Sequence, residues 1–387
     1  MVLSMRFEFA TAAEIVFGWG RISELGRRAH ALGHRALLVT GSRPERADRA
    51  KSQLESVGIE AVIFGVATEP TTTMIERGVE LARASGSVLV LGVGGGSVLD
   101  TAKAIAALAP NTGDLIDYLE VVGKGQPLTR PGHPCIAIPT TAGTGSEVTK
   151  NAVILAVRHS VKVSLRGLNL LPRLALVDPE LTVTVPPEIT AATGLDALTQ
   201  VIEPYLCVAR GPMTDALCLE GMRRAARSIR RAFEAGDDRQ ARCDMAVTSL
   251  FGGLALANAK LGAVHGFAAP LGGLCGAPHG AICARLLPLV MHANLHAIRA
   301  AHDSELLNRF DEIARALTGQ SAAQAIDGIN WLESLVEDLK IPRLGSFGVT
   351  ATQVDTVVEQ ARNASSMKGN PVELSKDVLA AILEKAI

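Results

Sequence analysis

Between residues 35 and 108 the chain repeats one pattern: a short apolar run, then a longer stretch with apolar residues three and four apart. "RALLVTG" (35 to 41) reads as a strand, "ERADRAKSQLESVG" as a helix ending in glycine and "EAVIFGV" as a strand. "TMIERGVELARAS" reads as a helix, "SVLVLGV" (87 to 93) as a strand and "DTAKAIAALA" as an Ala-rich helix. Strands separated by helices cannot pair as hairpins, so this alternation demands a parallel sheet covered on both faces. Ligands of such sheets sit beyond the carboxyl ends of the strands. From about residue 188 the pattern changes. "ATGLDALTQVIE", "MTDALCLEGMRRAARSIRRAFEAG", "DRQARCDMAVTSLFGGLALAN" and "LLNRFDEIARALTG" carry helical periodicity, and β-branched strand runs disappear. Pro179, Pro186 and Pro187 punctuate the change. The expectation is α/β plus all-α: a Rossmann-like parallel-sheet domain over 1–187 and a helical domain over 188–387.

A chain of 387 residues fits two domains, and 48% hydrophobic content can fill two cores. The charges nearly cancel, 38 basic against 39 acidic, so no long-range field attracts nucleic acid or an anionic membrane. Aromatics at 3% argue against base-stacking platforms. Cys135, Cys207, Cys218, Cys243, Cys275 and Cys283 form no C-x-x-C pair, which suits reduced thiols and a cytoplasmic location. Arg6, Glu8 and Glu14 interrupt the opening stretch before a secretory core can form. No uninterrupted apolar run approaches the roughly 20 residues of a membrane span. A small-molecule ligand is the expected partner.

Three places carry chemistry. The strand "VLVLGV" runs into Gly94, Gly95, Gly96 and Ser97, and a helix follows at once. Glycines let backbone approach a phosphate, and the free amides and dipole of a helix start favour its charge. A second loop, "IPTTAGTGSEVT", sets Thr140, Thr141 and Thr144 among glycines, where hydroxyls suit phosphate, ribose or an amide. The third is "TGLDALTQVIEPY" (193 to 205). If Thr193 or Gly194 opens a helix, Asp196, Gln200 and Glu203 share one face, with an amide where a metal site would prefer an imidazole. Downstream, His265 and His279 lie among glycines and a proline, and with Asp196 they make a candidate metal set.

These motifs, with "VKVSLRGLNLLPRLALVDPELT", follow one another along nearly the whole chain. In that order they resemble the successive signatures of the iron-containing, or group III, alcohol dehydrogenases, whose fold is shared with dehydroquinate synthase. The resemblance implies a Rossmann-like domain, a helical domain, NAD(P) and a divalent metal (Fe, Zn or Mn). It also implies hydride transfer between the nicotinamide and an alcohol, aldehyde or ketone carbon, and a homodimer or larger homo-oligomer. By its motifs Gly94 to Ser97 bind pyrophosphate, Thr140, Thr141 and Thr144 line the cofactor, Asp100 counts among the cofactor-binding residues, and Lys162 lies near the ribose and nicotinamide. The family's metal is held by an aspartate, a histidine four residues later and two histidines fourteen residues apart. Asp196, His265 and His279 match, but Gln200 stands in the place of the second ligand.

A further histidine that many members carry is here Ala269. Three routes stay open: an amide-completed metal site, three ligands plus water, or a metal-free site in which His265, His279 or Lys260 supplies the proton. After the first strand, where an aspartate often repels a 2′-phosphate, the chain has Gly41, Ser42 and Arg43, which favours NADP(H) over NAD(H). Pro204 is expected to kink its helix just after Gln200. Phe251, Leu254 and Phe267 fit either a hydrophobic aldehyde pocket or core packing. The competing readings are a dehydroquinate-synthase-like lyase, which needs more basic residues than Lys260 alone offers, and an inactive cofactor-binding relative.

Overall fold

The computed structural model describes residues 6–159 and 161–387; the first five residues of the apolar opening stretch lie outside them. The chain divides into two compact units: Thr11–Val185, and residues 6–10 together with Pro186–Ile387. The division falls two residues before the expected boundary. Residues 6–10 go with the helical unit, where Ala10 donates its N–H to Asn258 Oδ1 at 2.6 Å and accepts from Asn258 Nδ2 at 2.9 Å.

In the first unit the strands are β1 (Ile15–Phe17), β2 (Arg35–Thr40), β3 (Glu60–Gly65), β4 (Leu89–Gly94), β5 (Cys135–Pro139), β6 (Asn151–Ala156), β7 (Val161–Arg166) and β8 (Leu174–Val177). Six of them form one parallel sheet in the order β1-β8-β5-β4-β2-β3, while β6 and β7 pair antiparallel. The helices are α1 (Leu25–His30), α2 (Asp48–Glu55), α3 (Thr72–Ala84), α4 (Gly96–Leu108) and α5 (Leu115–Tyr118). Side chains alternate across the sheet. Leu37, Val39 and Val90 pack with Ile75 of α3 and Ile105 of α4. Leu38, Leu89 and Leu91 pack on the other face with Leu25 of α1 and Leu54 of α2. That double burial is why β4 reads as an unbroken apolar run. From β2 the chain crosses to β3 at the edge, then returns to place β4 on the other side of β2. The carboxyl ends of β2 and β4 therefore flank a point where the winding reverses, the place where such sheets bind ligands.

The second unit has no strand among its described residues and is built of α6 (Pro187–Leu206), α7 (Pro212–Glu234), α8 (Arg239–Asn258), α9 (Ala263–Cys275), α10 (His279–Ala300), α11 (Ser304–Thr318), α12 (Ala325–Asp338), α13 (Val354–Asn363) and α14 (Lys376–Ala386). Helix α6 opens at Pro187, six residues before Thr193, because a proline in the first turn needs no hydrogen-bond partner for its nitrogen. It runs on past Pro204 to Leu206, so that proline does not end it. By length and composition α10 could cross a membrane, but 67% of its apolar window is buried within the protein, as in a core helix. All six cysteines are free.

Candidate active site

Helix α6 is buried on almost every side from Thr190 to Leu206, so its polar residues must find partners inside the protein. Glu203 finds them on α9, and Asp196 faces the imidazoles of α9 and α10. Gly280, the second residue of α10, makes this approach possible: a Cβ there would lie 2.4 Å from the backbone oxygen of Ala192 on α6. That close contact sets His279 beside Asp196.

Asp196 Oδ1 faces His265 Nε2 at 3.4 Å and His279 Nε2 at 3.8 Å. Among the described residues no donor reaches this buried oxygen with hydrogen-bond geometry. Cys283, one turn along α10 from His279, points its Sγ at the same two nitrogens, 3.8 Å from His265 and 3.7 Å from His279. One donor atom from each of the four residues lies within 4.8 Å of the others. Asp196, His265 and Cys283 are buried, whereas the His279 side chain is 40% exposed and opens the cluster to solvent.

Behind His265, Glu203 has two tasks. Its Oε1 accepts the N–H of Val264 at 2.7 Å, satisfying an amide in the first turn of α9, where a negative charge is favoured. Its Oε2 lies 2.6 Å from His265 Nδ1. A carboxylate there accepts the Nδ1 proton and turns Nε2, the nitrogen a cation would meet, toward Asp196 and Cys283.

The charges reinforce one another. Burial would push the Asp196 carboxyl up, but His279 and His265 outweigh it and hold it below its ordinary value. Burial would likewise raise the Cys283 thiol, and the same two imidazoles hold it down instead. His265 is raised well above its usual value because Cys283, Glu203 and Asp196 overcome its desolvation. His279 is raised chiefly by Cys283, against desolvation. Two acidic and two basic groups thus favour each other's charged forms in a site that could exchange protons for a cation.

Gln200 is buried one turn after Asp196, its Cβ side packed against Gly252 of α8. Ala269 is exposed one turn after His265. Lys260 is exposed in the break between α8 and α9, away from the protein interior. Phe267 and Leu254 are core residues and Phe251 is half-buried, which favours packing over a substrate pocket.

In the α/β unit the two loops predicted to bind cofactor pack together. Thr140 N donates to the Gly94 carbonyl at 3.0 Å. A Cβ on Gly96 would come within 2.8 Å of Thr144, and one on Gly95 within 3.3 Å of Thr141. No side chain caps the start of α4, so its first amides stay available to an anion. Asp100 is tied within the protein: it accepts from Ser146 Oγ and from Val153 N at 2.9 Å, and pairs with buried Lys103 at 3.0 Å. It therefore shapes the threonine loop rather than offering a free carboxylate. Lys162 pairs with Glu69 at 2.7 Å. Gly41 approaches Val98 of α4, while Ser42 and Arg43 are exposed beyond the end of β2.

Sequence reasoning missed Cys283. The signal was present, since His279 and Cys283 stand four apart, but the helix start at His279 was needed to put them on one face. Glu203 was assigned to the Asp196 face without a partner; its partners are on α9.

A family model described as iron-containing alcohol dehydrogenase matches residues 12–179, and one for the C-terminal domain of the same family matches 190–387. The chain is 36% identical to a choline dehydrogenase of Bacillus subtilis (strain 168), over 97% of this chain and 96% of the relative. It is 37% identical to long-chain-alcohol dehydrogenase 1 of Geobacillus thermodenitrificans (strain NG80-2), over 97% of each. Among solved structures it resembles a 1,3-propanediol oxidoreductase with a TM-score of 0.92 and 34% identity, covering 99% of this chain and 100% of the other. The chain belongs to the iron-containing alcohol dehydrogenase family, and its activity is that of an NAD(P)-dependent alcohol oxidoreductase.

Proposed function

We propose that Asp196, His265 and His279 hold a divalent metal, that the glycine and threonine loops bind NADP(H) in preference to NAD(H), and that the protein interconverts an alcohol and its aldehyde or ketone. The observation that carries the metal reading is the buried Asp196 Oδ1, which has two imidazole nitrogens at 3.4 and 3.8 Å and no hydrogen bond among the described residues. Left without a cation, such an oxygen costs about 1–3 kcal/mol. A bound metal would polarise the substrate oxygen as a Lewis acid. The protein's own residues orient and bind. Glu203 fixes the His265 ring through Nδ1 and directs its Nε2 into the cluster, and Asp196 supplies the negative charge. In the α/β unit the open amides of α4 and the hydroxyls of Thr140, Thr141 and Thr144 are suited to pyrophosphate and nicotinamide. Arg43, exposed past β2 with no acid in its place, suits a 2′-phosphate.

Lys260, exposed to solvent, has no part in this reading. We take the protein to be cytoplasmic and to assemble as a homodimer or larger homo-oligomer, which light scattering would check. The named relatives act on choline and long-chain alcohols, too wide a range to fix the substrate here.

The test is metal analysis of the purified protein with NADPH- and NADH-dependent reduction of an aldehyde panel, before and after chelation. Stoichiometric metal, chelator-sensitive turnover and a higher kcat/KM with NADPH, lost in Arg43→Ala, are expected. Full turnover by metal-free protein would overturn the metal assignment, and equal use of both cofactors would overturn the NADP(H) preference.

A further inference from the structure

Cys283 is a buried thiol that the reading above leaves without a role. Its sulfur is directed at the two imidazole nitrogens that already face Asp196. The separations are informative. Donors bound tetrahedrally to one ion, at about 2.0 Å for nitrogen or oxygen and about 2.3 Å for sulfur, stand roughly 3.3 Å apart for an N,O pair and roughly 3.6 Å apart for an S,N pair. The observed N,O separations are 3.4 and 3.8 Å, and the S,N separations are 3.7 and 3.8 Å. The N,O pairs are too long for ordinary N–H···O hydrogen bonds, and these four separations are close to the spacing of ligands around a shared centre.

We infer that Cys283 takes over the coordinating position left by the imidazole missing at Gln200, so that Asp196, His265, His279 and Cys283 form a donor set selective for a thiophilic ion of the zinc class over iron or manganese. The inference rests on the metal-binding reading above and extends it. The fourth donor has moved between helices: Gln200 follows Asp196 by four residues on α6, and Cys283 follows His279 by four on α10. Either spacing turns a side chain to the same face as its predecessor. Sulfur in place of an imidazole softens the site, and soft ligands favour zinc over the harder first-row ions. On binding, the thiol proton leaves to solvent and a sulfur–metal bond replaces the S–H bond.

The full-length protein, stripped with a chelator, is reloaded with Co(II), and the near-ultraviolet thiolate-to-cobalt charge-transfer absorption is recorded. Zinc and iron affinities are then measured by competition. One Co(II) per chain with a charge-transfer band is expected. In Cys283→Ser the band should vanish and zinc affinity fall about tenfold or more. In Cys283→His, which restores an imidazole, stoichiometry should persist without the band, and preference should move toward iron. Far-UV circular dichroism of the metal-free variants establishes that each is folded. A wild-type protein that binds one metal per chain without the band, or a band and zinc affinity unchanged in Cys283→Ser, overturns this inference and leaves the metal-binding reading standing. A wild-type protein that takes up no metal overturns both.

Discussion

In the α/β unit the groups that would meet a dinucleotide are largely backbone: the glycines after β4 and the uncapped amides of α4, with threonine hydroxyls laid against them. In the helical unit the proposed donors are side chains from three helices separated by up to 87 positions, counted from Asp196 to Cys283. The first arrangement is local, because a strand–glycine–helix turn makes its own anion site. The second exists only if α6, α9 and α10 pack correctly, and Gly280 on Ala192 is one of the contacts that align them. A backbone site should therefore lose affinity by degrees when a side chain intrudes, and a convergent side-chain site should fail sharply when one donor changes.

The most damaging expected change is Asp196→Asn, which removes the charge that two imidazoles face. Metal content should drop below stoichiometry and kcat/KM fall by about 100-fold or more. Retention of both would mean the two regions do not differ as described. Next is Glu203→Gln, which touches neither substrate nor metal but loosens the His265 ring. Losses of about 10–100-fold in metal affinity or turnover are expected, with cofactor affinity unaltered. A variant weakened only in thermal stability would reduce Glu203 to a helix cap.

Smaller still is Gly96→Ala in the other unit. The new Cβ meets Thr144, and the KM for the nicotinamide cofactor should rise about tenfold, or ~1.4 kcal/mol, with metal content unchanged. An effect on metal content would erase the division of labour between the units.

The mildest test concerns stability. Burial pushes the Glu147 carboxyl, in the threonine loop, up to about 7 from 4.5. The folded state thus keeps a proton that the unfolded chain has released. Stability should fall as pH rises from about 4.5 to about 7 and stay lower above it. Glu147→Gln should remove this slope and raise stability at pH 8 by about 1–3 kcal/mol, seen as melting temperatures that no longer depend on pH in that window. An unchanged slope would show that another group sets it.

The strand and helix runs were legible because their periodicities are local. So was the glycine run, whose meaning depends only on what precedes and follows it. The grouping of Asp196, His265 and His279, which the structure brings together, was legible through motif spacing. Gln200 reads as an amide where the family's motif has an imidazole, but no property of residues 193 to 205 shows which other side chain would complete the proposed set. Cys283 looked like any isolated thiol, because its place beside His265 and His279 depends on how α10 packs against α6 and α9. The sequence points to a helix start at Thr193 or Gly194, not at Pro187, because the Pro-Pro pair reads as an interruption as easily as a first turn.

By itself the sequence determined the class of each half, since alternating strands and helices can only wind into a parallel sheet and since the later repeats bury a helical stripe. It also determined the phosphate-ready turn after β4, through glycines whose missing side chains admit Thr144. The tertiary structure alone decided which buried polar groups face one another. Desolvation makes an unpartnered carboxylate costly, so packing selects the partners, and those partners lie far along the chain, where no local pattern connects them.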